Sequence, residues 1–160
     1  MTDNDFSSWF PWNSRNKIMG MKNPGIYVLA ISGKDISNQP FSWRDEIVYI
    51  GMTNSSAGLK GRLQQFDNTI NGKTGHGGAD RVRFKYEDYE ELSNRLFVSI
   101  MPIPCDVKSN HPDDLLKMGD VAKLEYVCFA KYAGKFGHLP QFNDKKNSPK
   151  FSLTKGRQRK

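Results

Sequence analysis

Glu125 sits where a carboxylate has no ordinary reason to be. From Met118 to Tyr132 the apolar residues Met118, Val121, Ala122, Cys128, Phe129 and Tyr132 recur at helical spacing, and Glu125 falls in the middle of that stripe. Burying a carboxylate without a partner costs several kcal/mol, so Glu125 calls for a buried Arg or Lys, a hydrogen-bond network, or a metal ion in a cleft. Arg62 raises a matching question. It lies at the edge of a second stripe, Leu59, Leu63, Phe66 and Ile70, where an arginine either snorkels to solvent or clamps an anion such as phosphate. An arginine and a glutamate on different helices, both flanking one sheet, could face one cleft.

Several elements must position them. Gly25-Ile26-Tyr27-Val28-Leu29-Ala30-Ile31 is apolar on both faces and predicts a central strand. Ile47-Val48-Tyr49-Ile50-Gly51 predicts a second strand, paired antiparallel with the first across a long polar loop that holds Trp43 and Arg44. A helix follows over 58–70, then the glycine-rich turn Gly72-Lys73-Thr74-Gly75-His76-Gly77-Gly78 and a short helix. Residues 95–101 predict a third strand ended by Pro102, and Pro112-Asp113 opens a long helix from Asp113 to about Lys135. The fold class is therefore α/β (α+β), a small three-stranded antiparallel sheet flanked by helices. Residues 1–23, with Trp9, Phe10, Trp12, Arg15 and Lys17, form an N-terminal extension. That extension is an aromatic flap over the core or an arm on nucleic acid, the flap being favoured. A domain spans 24–144, and 145–160 read as a basic tail.

The 160 residues suit one domain. Charged residues at 26% and apolar residues at 37% suit a soluble globular chain, and no apolar run is long enough to span a bilayer. Residues 1–24 have no apolar stretch of the signal-peptide kind, and Cys105 and Cys128 lack zinc-ligand spacing, so a cytoplasmic location is expected. A net charge of +7 attracts polyanions without identifying one.

Taken in order, Gly25-Ile26-Tyr27, Tyr49-Ile50-Gly51, Arg62 in Leu59-Lys60-Gly61-Arg62-Leu63, Glu125 in Leu124-Glu125-Tyr126-Val127, and Pro140-Gln141-Phe142-Asn143 resemble the signature elements of the GIY-YIG nuclease superfamily. Each tripeptide alone is weak; five ordered elements across residues 24–144 are not. The resemblance implies a metal-dependent DNA endonuclease that leaves 5′-phosphate and 3′-hydroxyl ends. In it Tyr49 is general base or proton relay and Tyr27 orients the site, with the rival assignment of the base to Tyr27 left open, while Arg62 binds the scissile phosphate and Asn143 braces the cleft. Glu125 is the sole protein ligand of one Mg²⁺ or Mn²⁺. Gly51, Lys60, Arg81 and Arg83 are expected to meet double-stranded DNA, and a homodimer would supply two cuts. There are departures. Met52 stands where some members carry lysine and Phe66 where others carry histidine, which leaves Lys60 and His76 as candidates to activate a tyrosine. The alternatives are a nucleic-acid-binding module that has lost turnover, or a nuclease acting on RNA.

Overall fold

The computed structural model describes residues 1–154. Its sheet is antiparallel and has four strands in the order β1-β4-β2-β3: β1 (Phe10–Pro11), β2 (Gly25–Ile31), β3 (Ile47–Thr53) and β4 (Leu96–Pro102). The helices are α1 (Gly58–Ile70), α2 (Gly77–Lys85), α3 (Tyr89–Ser93), α4 (Pro112–Phe136) and α5 (Phe151–Thr154). No helix among the described residues is long and apolar enough to cross a membrane.

The doubly apolar pattern of β2 sorts it into two cores. Tyr27, Leu29 and Ile31 join Leu59, Leu63, Phe66 and Ile70 of α1, while Ile26, Val28 and Ala30 join Val121, Cys128 and Tyr132 of α4. Alternate side chains of a strand point to opposite faces, so β2 serves as the floor of both layers, and all seven of its residues are buried. Each fully buried Leu or Ile contributes about 1.5–3 kcal/mol, which makes this strand the chief anchor of the fold.

The sheet is one strand wider than the three expected. Phe10 and Pro11 pair with Val98 and Phe97 at the far edge of β4. A two-residue strand ending in proline has neither alternation nor length to announce it, and proline is tolerated there because the strand is an edge. Elsewhere the N-terminal segment sends aromatic side chains into the core: Trp9 and Trp12 are fully buried, and the Trp12 indole donates to Asp67 at 2.7 Å. The long β2–β3 loop is fastened too. Phe41 stacks on Phe6 with ring centroids 4.1 Å apart, and the Trp43 indole donates to Asp3 at 2.9 Å.

Along α4 the buried stripe is narrower than the sequence pattern suggests. Val121, Cys128 and Tyr132 are buried, Met118, Glu125 and Phe129 are half-buried, and Ala122 is exposed. Ala122 follows Val121 by one position, about 100° around the helix, and the sheet does not reach that far.

Candidate functional site

Strand register places the tyrosines. Tyr27 pairs with Gly51 and Leu29 with Tyr49, so the two phenols are diagonal neighbours on the α1 face of the sheet, ring centroids 6.0 Å apart. Glycine at 51 is a steric requirement. A Cβ there would stand 2.3 Å from the Tyr27 hydroxyl, so the ring lies directly over the backbone of the partner strand. Gly78 does the same for Tyr49, where a Cβ would meet the ring at 2.4 Å.

The glycine-rich turn delivers His76 to these rings. At the C-terminal end of α1, Thr69 Oγ1 accepts the His76 amide at 3.1 Å, and His76 then caps the N-terminus of α2. Its Nδ1 accepts the Ala79 amide at 3.2 Å, while its Nε2 lies 2.9 Å from the Tyr27 hydroxyl. A ring nitrogen that accepts an amide hydrogen carries no proton, so in the neutral imidazole Nε2 bears it and donates to Tyr27. Burial, with the Arg62 guanidinium adding to it, lowers the His76 pKa to about 3, and the ring is neutral at physiological pH. The imidazole packs on Phe66 at 4.9 Å and on Tyr49 at 5.6 Å, closing a cluster of four rings.

Tyr49, Arg62, His76, Arg81, Glu125 and Asn143 line one cleft of about 420 Å³, with Tyr27 immediately behind His76. Burial raises the pKa of Tyr49, while Arg62 and the neighbouring Tyr27 hydroxyl favour its phenolate. Tyr27, fully buried, is pushed well above the ordinary tyrosine value, first by desolvation and then by Tyr49. Arg62 is held by Gln65, which accepts from Nη1 at 2.8 Å, and its buried Nε has no partner among the described residues. Glu125 is half-buried with a raised pKa, caused by desolvation and opposed by Arg62 and Lys145. It makes no ion pair or hydrogen bond among the described residues, so the acid and the guanidinium share an open cleft without neutralising each other.

Asn143 has a definite structural task. Its Oδ1 accepts the Ile50 amide and its Nδ2 donates to the Ile50 carbonyl, both at 2.9 Å, while the Phe142 amide donates to the Val48 carbonyl at 3.0 Å. The segment thus clasps the free edge of β3 on either side of Tyr49.

Two expected substrate contacts lie elsewhere. Lys60 is exposed and does not line the cleft; it is two positions before Arg62, about 200° around α1. Arg83 donates to the Gly72 carbonyl at 3.1 Å and covers the Phe151 ring at 3.8 Å, tying α2 to α5 instead of facing the cleft. Lys60 is thereby removed as an activator of either tyrosine. The inserted loop with Trp43 and Arg44 contributes nothing to the cleft lining, and Arg44 pairs with Glu46. Lys145 and Lys150, which the sequence marked only as part of a basic tail and not individually, do line the cleft. They follow the last strand and helix signals, in irregular chain with no periodicity to give their direction. Residues Lys155–Lys160 lie outside the described residues.

No group of three or more His, Cys, Asp or Glu side chains is placed to hold a metal among the described residues. Of the cleft residues Glu125 alone offers a carboxylate, so it is the side chain there that could ligate a hydrated divalent cation. No family model, curated protein or solved structure matches this chain.

Proposed function

We propose that this protein is a divalent-metal-dependent DNA endonuclease of the GIY-YIG kind. The observation that carries the reading is that Glu125 and Arg62, from different helices, stay unpaired with each other while lining one basic cleft beside Tyr49. A purely structural ion pair would have closed that gap, because a partly desolvated carboxylate gains from a cationic partner.

Arg62, which lines the cleft and is steadied at Nη1 by Gln65, holds the scissile phosphate through its guanidinium. Tyr49 takes the proton from the attacking water. Behind it the Ala79 amide donates to His76 and His76 donates to the Tyr27 hydroxyl, and the Tyr27 and Tyr49 rings lie with centroids 6.0 Å apart. Tyr49 lines the cleft while Tyr27 is fully buried behind it, which supports Tyr49 as the base and Tyr27 as its neighbour in a supporting role. His76 acts as a donor and cap, since its Nδ1 lone pair is occupied. Glu125 would hold Mg²⁺ or Mn²⁺, which when bound supplies Lewis-acid stabilisation of charge on the leaving 3′ oxygen. Asn143 positions Tyr49 through the β3 backbone. Arg81, Lys145 and Lys150 give the cleft its affinity for the phosphate backbone.

A plasmid-nicking assay with Mg²⁺ and Mn²⁺ tests the reading. Wild type should convert supercoiled plasmid to nicked and linear forms with 5′-phosphate ends, and Glu125→Ala and Arg62→Ala should bind the plasmid without cutting it. Wild type inert on duplex, branched and single-stranded DNA would leave the nucleic-acid-binding module; cutting confined to RNA would move the substrate class.

A further inference from the structure

Tyr126 has no part in the chemistry above, yet it lines the same cleft and is 73% exposed. It follows Glu125 on α4, and consecutive helical positions turn by about 100°, so the carboxylate and the phenol point in well-separated directions. With most of its surface in water, the ring stands at the rim. Phe129, one turn further on, meets it edge to face, with centroids 5.9 Å apart and planes at 88°. That contact fixes the plane of the tyrosine ring and leaves most of it uncovered.

A single exposed aromatic is unremarkable on a protein surface. Its surroundings give this one meaning. The other charged residues lining the cleft are Arg62, Arg81, Lys145 and Lys150 against Glu125 alone, a strong excess of positive charge. A basic groove with an aromatic face at its side is the composition that holds unpaired nucleotides, the cations following the phosphates and the ring taking a base. In paired B-form DNA both faces of every base are already stacked, so a ring at this rim has nothing to grip unless a nucleotide has left the stack.

We propose that Tyr126 stacks on an unpaired base next to the phosphate held at Arg62 and Glu125, so that the preferred substrate is DNA whose nucleotide at that point is unstacked. A single strand, a flap and an extruded base share that chemistry. The position of the phosphate rests on the nuclease reading; the stacking itself does not.

Metal-free binding separates the two. Fluorescent oligonucleotides carrying 2-aminopurine are titrated with wild type, Tyr126→Ala and Tyr126→Trp, as a single strand, as a 5′ flap, as a duplex with one unopposed base, and as a fully paired duplex. Stacking of one base on an aromatic side chain sets the expected loss for Tyr126→Ala on the three unpaired forms at about 5- to 150-fold. The fully paired duplex should be unaffected, Tyr126→Trp should restore affinity, and 2-aminopurine should be quenched by wild type only where it is unpaired. An equal loss on paired and unpaired DNA, no loss at all, or no quenching overturns the proposal. So does sedimentation showing that Tyr126→Ala splits a dimer, for then a second copy covers this ring. Adding Mg²⁺ completes the separation. If paired duplex is cut equally by wild type and Tyr126→Ala and the unpaired forms show no binding loss, the nuclease reading survives without the stack. If nothing is cut but the binding pattern holds, the stack survives without the nuclease.

Discussion

The proton between His76 Nε2 and the Tyr27 hydroxyl, 2.9 Å apart, belongs to the imidazole, because Nδ1 is committed to the Ala79 amide. A charged imidazole would lose that cap and carry an unsolvated charge beside Arg62.

The consequence is a pH dependence of stability. His76 titrates at about 3 in the folded chain against 6.5 as an unperturbed group. Between those values the unfolded chain binds more protons, so the stability contributed by neutral His76 is complete above pH 6.5 and drains as the pH falls toward 3. Between pH 7 and pH 4.5 wild type should lose about 2 kcal/mol more than His76→Gln, read from urea midpoints at the two pH values. Parallel midpoints in the two proteins would show that the ring is not held neutral.

Activity should also rise with pH, over a more alkaline range. Burial raises the Tyr49 pKa above 10, so only a small phenolate fraction exists at neutral pH, and that fraction grows about tenfold per pH unit. Log kcat should climb with a slope near one through the neutral range and show no plateau below about pH 9. Tyr49→Phe should abolish both the activity and the slope, whereas Tyr27→Phe should lower the rate and keep the slope. A flat profile in wild type would remove Tyr49 from the base role.

Glycines under the rings give a steric prediction. Gly51→Ala would set a methyl 2.3 Å from the hydroxyl of the fully buried Tyr27, and Gly78→Ala one 2.4 Å from the half-buried Tyr49 ring, so both rings must shift. Each substitution should cost about 1–3 kcal/mol in thermal or urea unfolding. Cleavage should fall further than the lost folded fraction explains, because the tyrosines are displaced even in molecules that fold. Gly33→Ala, where no atom lies within 4 Å of the new methyl, is the matched control.

Two arginines two positions apart on α2 should behave differently. Arg81 lines the cleft and Arg83 lies over Phe151. Arg81→Ala should weaken DNA binding at every sequence and reduce the slope of log K against log salt by about one. Arg83→Ala should leave that slope unchanged and instead lower stability by loosening α5 from α2.

Much of this arrangement was legible in the sequence wherever periodicity fixed direction. The doubly apolar β2 had to lie between two layers, the stripe of α1 had to face the sheet, and Glu125 within the α4 stripe had to look inward; the structure has each so. Direction was lost where periodicity was absent or one position decided it. Basic character marked Lys60 and Arg83 as well as Arg62 and Arg81, but charge says nothing about which side of a helix a residue occupies. Ala122 fitted the spacing and still faces solvent, since stripe width depends on how far the sheet extends beneath the helix. Strand β1 and the cleft-lining Lys145 and Lys150 lie in short irregular stretches, where tertiary contacts alone choose the conformation.

The clasp of Phe142 and Asn143 on β3 sets an order of events during synthesis. Until residue 143 has emerged from the ribosome, Val48 and Ile50 present bare amide and carbonyl groups along an outer strand rich in Ile and Val. A nascent or prematurely terminated chain therefore holds most of its packed interior while exposing a ribbon able to recruit another chain. Competence and protection against aggregation arrive together, with the same few residues.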